Sequence, residues 1–256
     1  MRVWDIHPGY LSRSSLLGQH AEIHGIFNTI VEEKKGYSRH PETVRWSRCP
    51  GKLATRHDLT VKEMELRGFK HNSPCSFLTE SERQKTDYID NPARQFQILK
   101  EKYSKRPQAG RIPLPKRRSD FWAHHKYSVM ARGYNHYKRV QEFMNNCHNA
   151  PIEEDKELIQ KVLCIMDEPV CRRALNNTVD HIWGYFKNSA TDGEKDTYLN
   201  LASFDPTLLM PFFYKLADKY DQQYLFKSTV FADFTRNEDI IDSAKNPRNK
   251  NFIKRV

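Results

Sequence analysis

One stretch, RPQAGRIPLPKRRSD (106–120), constrains this chain more than any other. Its prolines fix φ and remove backbone donors, so neither a helix nor a central strand runs through it. Helix-patterned sequence lies on both sides. The stretch reads as a linker and puts a domain boundary near residue 115. Before it, SRSSLLGQHAEIHGIFNTIVEEKKG (12–36) begins with serines suited to capping and ends at Gly36. Leu16, Ile23, Phe27 and Ile30 recur at helical spacing on one face. Further helices are predicted over 53–69, stopped by Gly68, and over 93–106. Between the first two, YSRHPETVRWSRCPGK reads as a Pro- and Arg-rich loop. After the linker, helices are expected over 119–147, 153–168, 171–189, 191–204 and 207–231. The predicted fold class is all-α. A compact helical domain covers 1–115, a helical bundle covers 116–235, and a polar tail covers 236–256.

The net charge is +10 over 256 residues, and its placement says more than its size. The whole excess lies in residues 1–118, while 119–256 balance to zero. A basic first half beside a neutral second half points to a polyanion partner for the first. The alternative is a basic surface kept for solubility. No run approaches the roughly 20 apolar residues of a membrane span. The start lacks the apolar region of a signal peptide. The five cysteines, at 49, 75, 147, 164 and 171, form no CxxC pair. Reduced thiols in a cytosol are expected, without zinc or iron–sulfur ligation. No cofactor, no metal and no membrane partner are expected, and the protein is expected to be cytoplasmic and monomeric.

Two features carry chemistry. On the first helix, Glu22 lies away from the apolar face, with Gly18, Ala21, Gly25 and Thr29 around it. Glycine inside a helix costs on the order of 1 kcal/mol relative to alanine. Close approach by another segment or a ligand is one reason to keep it, and Glu22 would then floor a shallow groove. An outward, solvated glutamate is the plainer alternative. The second feature is the start, MRVWDIHPGYL, where residues that favour burial sit beside the α-amine. Methionine aminopeptidase acts before small residues and Arg2 is large, so Met1 is expected to stay. An α-amine titrates near 7.7–8.0, so an appreciable fraction is neutral and nucleophilic at pH 7.

MRVWDIHPGYL, the helix bearing Glu22, KGYSRHPE, the helix ending ELRGF, and DYIDNPARQFQILKEKYSKRP together resemble the pyrimidine-dimer DNA glycosylases of the phage endonuclease V type. The similarity spans about residues 1–110. It implies a DNA-repair glycosylase with AP-lyase activity acting on UV-damaged double-stranded DNA, associated with the nucleoid. In that family the N-terminal α-amine attacks deoxyribose C1′, forms a Schiff base and leads to β-elimination. A helix-borne glutamate is essential, the DNA is bent and a nucleotide is flipped out. Aligned without a gap, these catalytic roles fall on Met1 and Glu22, and a DNA-contacting arginine falls on Arg2. From charge, Arg39, Arg45, Arg48, Lys52, Arg56, Lys116, Arg117 and Arg118 are further DNA-contact candidates. The family's arginines beside the glutamate align with Ala21 and Gly25, and a family histidine aligns with Ser15. His20 and His24 lie close enough on the helix to substitute as DNA contacts, or they are buried and satisfied. Lesion choice therefore stays open between pyrimidine dimers, another lesion and bare abasic sites. A non-catalytic nucleic-acid-binding module is the remaining alternative.

Residues 119–231 resemble the YbgA-like helical domain, through FWAHHKYSVMARGYNHYKRV, NNTVDHIWGYFK and PFFYKLADKYDQQYLFKSTVF. His125, Lys126, Tyr127, His181, Tyr185 and Lys187 match its recurring residues. They are candidates for a polar pocket or for packing within the bundle.

Overall fold

The computed structural model describes residues 2–33, 35–75, 87–145, 150–234 and 240–241, with Asn145, Ile240 and Ile241 as backbone only. The chain forms two compact units. One is Met1–Lys116 with Pro151–Lys156, and the other is Arg117–Ala150 with Glu157–Val256. The fold is all-α. None of the described helices is long and apolar enough to cross a membrane.

In the first unit a 3-10 turn, Pro8–Tyr10, leads into α1 (Arg13–Val31). Ser12 caps α1 by accepting the Ser15 N–H. The helix ends before the expected Gly36, and Glu33 turns the chain with φ at 50°. The expected loop after it contains a helix, α2 (Pro41–Ser47). His40 starts it, because its Nδ1 accepts the Glu42 N–H at 3.2 Å and Pro41 supplies a helical φ at the first position. Helix α3 (Pro50–Leu66) packs on α1, and Gly68 ends it with φ at +77°. Helix α4 (Pro92–Lys105) is capped by the Asn91 side chain. Val3, Ile23, Ile26, Trp46, Cys49 and Leu53 form a core cluster, with Ile30 against it.

The stretch after α4 is not a linker. Ile112 is fully buried and its N–H donates to the Gly9 carbonyl at 2.9 Å. A Cβ on Gly110 would lie 2.3 Å from that same carbonyl oxygen, so only glycine permits the approach. Arg111 donates to Glu63 at 2.7 Å. Glu63 is completely buried, and Arg67 pairs with it from one turn further along α3. Arg67 also donates to the carbonyls of Leu11, Pro8 and Gly9. A buried carboxylate is tolerable when it is paired and hydrogen-bonded in this way. The units divide at Lys116 and Arg117, close to the expected boundary, but the Arg111–Glu63 pair and the Ile112–Gly9 bond hold residues 110–112 within the first unit.

The second unit starts with α5 (Arg118–Arg132) and α6 (Tyr134–Asn145), one expected helix divided at Gly133, whose φ is +155°. It continues with α7 (Lys156–Met166), α8 (Arg172–Trp183) and α9 (Asp192–Phe204). The expected helix over 207–231 is three: α10 (Leu209–Lys219), α11 (Gln223–Phe226) and α12 (Val230–Asp233). Asp221, with φ at 48°, turns the chain between the first two. Helix α5 packs against α8 and α6. Its Arg132 pairs with Asp233 at 2.6 Å and donates to the carbonyls of Ser128, Met166 and Glu168. A two-residue parallel ladder joins β1 (Val170–Cys171) to β2 (Ile240–Ile241). The rest of the expected tail lies outside the described residues.

Candidate active site

Residues 2–7 lie outside any helix or strand, so their backbone N–H groups need partners from elsewhere. Side chains supply them. Glu42 Oε1 accepts from Val3 at 3.1 Å, Gln19 Oε1 from Trp4 at 2.9 Å, and Gln95 Oε1 from Asp5 at 2.8 Å. Arg56 donates to the carbonyls of Asp5 and Ile6. Asp5 itself is buried, paired with Arg45 and bonded by Gln95 Nε2 at 2.7 Å. Burial raises the Glu42 carboxyl above the ordinary range, and the Val3 N–H and Arg45 offset only part of that. A cleft of about 230 Å³ opens beside this segment, lined by Arg2, Val3, Asp5, Glu42, Arg45 and Asp90 among others.

Glu22 stands one turn along α1 from Gln19 and one turn before Ile26. Gln19 holds the Trp4 N–H, and Ile26 packs in the cluster that contains Val3. Glu22 is half-buried, in the row against which the N-terminal segment is fixed. Gly18, Ala21 and Gly25 are exposed beside it. A Cβ on Gly18 or Gly25 would meet nothing within 4 Å, so no described segment makes the close approach that glycine allows. Met1 lies outside the described residues.

The basic candidates separate. Arg39 and Arg48 are exposed, as are Lys116 and Arg117, and Lys52 is half-buried. Arg2 is part-exposed, pairs with Asp90 at 2.8 Å and lies over the Trp4 ring. Arg45 is buried between Asp5 and Glu42, so it is a core cation and not a phosphate contact. Arg56 is spent on backbone carbonyls in the same way. Arg118 is buried with its guanidinium over Phe143. Arg45 and Arg118 are thus buried and Arg56 is half-buried and engaged by backbone carbonyls, a distinction that charge alone does not reveal.

His20 and His24 meet each other, with Nε2 to Nε2 at 3.1 Å, and join His57 and His71. Burial, then the neighbouring imidazoles, lower His20 to about 4 and lower His24 as well. Both rings are therefore neutral at pH 7, which weakens them as phosphate contacts.

In the second unit, Tyr127 donates to the Tyr185 hydroxyl at 3.1 Å. The Lys126 ammonium lies 4.5 Å from the centre of the Tyr127 ring and 4.7 Å from that of Tyr224. Burial lowers the Lys126 pKa. Three of the expected pocket residues therefore gather, with Tyr224 added. His125 does not join them; it is buried against Phe121. His181 and Lys187 are exposed on and after α8.

Comparison with known proteins bears on both units. Residues 1–77 match the family of pyrimidine dimer DNA glycosylases. Residues 126–235 match a family described as a protein of unknown function (DUF1722). The two matches fall in the two regions where the sequence resemblances lie. No curated protein and no solved structure matched the chain. The glycosylase match contains α1 with Glu22, and it contains Gln19 and Glu42, which hold the N-terminal segment. Sequence reasoning missed those two and Gln95. Gln19 carried a signal: it sits three residues after Leu16 and four before Ile23, a polar residue on the apolar face.

Proposed function

We propose that the first unit excises pyrimidine dimers from double-stranded DNA and then nicks the strand, using the α-amine of Met1 as nucleophile and Glu22 as the acid–base partner. The amine nitrogen bonds to C1′ as the glycosidic bond breaks, and the departing base takes the electron pair and a proton. Ring opening gives an iminium. Loss of a C2′ proton into that electron sink expels the 3′ phosphate. Glu22 stabilises positive charge at C1′ and moves protons in ring opening and elimination. Exposed Arg39, Arg48 and Lys52, with part-exposed Arg2, supply phosphate contacts.

One observation supports this reading above the others. Val3 and Trp4 are held by Glu42 and Gln19 alongside the row of α1 that carries Glu22. Such an anchor suits a backbone amine that must be aimed. The absence of a cation at Ala21 and Gly25 leaves an abasic-site lyase as the second reading.

Borohydride trapping on duplexes bearing a cyclobutane dimer or an abasic site tests both. Protein beginning at Met1 is compared with protein carrying extra N-terminal residues. Adduct on both duplexes, only from the unextended protein, is expected. Adduct on the abasic duplex alone selects the lyase reading. Binding without adduct on either removes the Schiff base.

A further inference from the structure

We propose that His20, His24, His57 and His71 bind one divalent transition-metal ion of the zinc class, joining α1, α3 and the segment after α3. One ring nitrogen from each of the four lies within 4.8 Å of all the others. A tetrahedral zinc with Zn–N of about 2.0–2.1 Å needs nitrogens about 3.4 Å apart. The His20–His24 pair is already at 3.1 Å, and the nitrogens of the other two lie within 4.8 Å, so binding needs them to close in on the ion. Those two histidines sit four apart on one helix face, a spacing that metal-binding helices use.

Hydrogen bonding within the protein does not account for the cluster. His57 is 1% exposed, and its Nε2 has no hydrogen-bond partner. His71 is half-buried, but its Nε2 is itself buried and has no hydrogen-bond partner. Unpaired buried nitrogens destabilise a fold, and two of them among packed imidazoles call for a common partner. The outer contacts have the form that metal ligands use. Asp58 Oδ1 lies 3.0 Å from His57 Nδ1, where it accepts that proton and leaves the lone pair on Nε2. On His24, Nε2 faces His20 while Nδ1 lies 3.4 Å from the Cys75 thiol.

An all-imidazole set selects zinc, nickel or copper over magnesium or calcium. Four protein ligands close the coordination sphere, so the ion would be structural and would not activate water. It would fasten the helix that carries Glu22 to α3 by a bond that no helix propensity supplies. The site stands whether or not the glycosylase reading does.

The test uses untagged full-length protein, because a polyhistidine tag binds the same ions. Protein stripped with chelator is given Zn²⁺ or Co²⁺ alone, desalted, and assayed for bound metal, visible Co²⁺ absorption and thermal midpoint. One equivalent per chain, intense tetrahedral Co²⁺ bands and a raised midpoint are expected. His20→Asn and His24→Asn should each abolish all three while far-UV circular dichroism is unchanged, and His181→Asn should leave them intact. These positions are half-buried, which spares the buried His57. If either variant fails to fold, the wild-type Co²⁺ spectrum decides. No retained metal, a weak octahedral spectrum, or binding that survives both substitutions overturns the site.

Discussion

The Glu42 carboxylate accepts the Val3 backbone N–H at 3.1 Å, so a residue 39 positions away fixes the start of the chain. Its other oxygen accepts from Trp46 Nε1 at 3.0 Å and faces Arg45. Glu42→Leu leaves the Val3 N–H buried without an acceptor and takes one carboxylate from Arg45. A loss of about 1–3 kcal/mol is expected by urea unfolding, with a larger fractional loss of borohydride trapping. Glu42→Gln keeps an oxygen for Val3 and should keep trapping. Equal trapping in Glu42→Leu and wild type would detach this anchor from the chemistry.

The same residue sets a pH dependence. Burial raises the Glu42 carboxyl above its unfolded value, so the folded protein holds that proton longer than the unfolded chain. The resulting stabilisation is complete below the unfolded pKa and is lost as pH rises through the folded pKa. Relative to Glu42→Gln, wild type should be most stable in acid and should lose ground toward neutrality. Paired urea titrations across that range check it, and a difference that does not change with pH contradicts it.

Arg45 and Arg48 lie three apart in sequence and should behave as opposites. Arg45→Met strands the buried Asp5 and Glu42 carboxylates and should cost about 3–5 kcal/mol of stability. Arg48→Ala, at an exposed position, should change stability by less than about 0.5 kcal/mol. It should weaken DNA binding and lower the slope of log affinity against log salt by about one. Fluorescence anisotropy at several salt concentrations reads the second effect. A normal salt slope in Arg48→Ala removes it from the DNA face.

Much of this was legible in the sequence. Helical periodicity gave α1, α3 and α4, because each has an apolar face and a recognisable cap or stop. It missed α2, since a seven-residue helix is too short for periodicity and its start depends on His40 bonding to the Glu42 N–H. It also could not see that Gly110 and Ile112 return to the opening turn, because those contacts join residues about a hundred positions apart. Charge counts identified a basic first half but could not separate Arg45 from Arg48, a distinction made by burial. His20 and His24 were noticed for their position on α1. His57 and His71 were not, since only the packing of α3 and the segment after it brings them there.

Glu22→Gln should lower dimer excision by about 10²–10⁴-fold, the usual range for a positioned acid–base group. The change keeps size and hydrogen-bonding capacity, so the thermal midpoint and DNA affinity should stay close to wild type. Single-turnover cleavage of a dimer-bearing duplex, alongside anisotropy, separates the two effects. Unchanged single-turnover rates would return Glu22 to an ordinary surface glutamate.

Two glycines separate the surface beside Glu22 from the packing against the opening turn. Gly110→Ala puts a Cβ 2.3 Å from the Gly9 carbonyl oxygen and 2.5 Å from the Tyr10 carbonyl carbon. Backbone cannot swing aside as a flexible side chain can, so the thermal midpoint should drop sharply. Gly25→Ala adds a methyl in open space inside a helix and should raise stability by up to about 1 kcal/mol. If DNA approaches the exposed small residues around Glu22, that methyl should weaken binding to a dimer-bearing duplex even as the protein becomes harder to unfold. Opposite signs for stability and affinity in one variant are the mark of a surface kept bare for a ligand. A Gly25→Ala protein that is more stable and binds as tightly would leave helix-interior glycine at this position without a role in DNA approach.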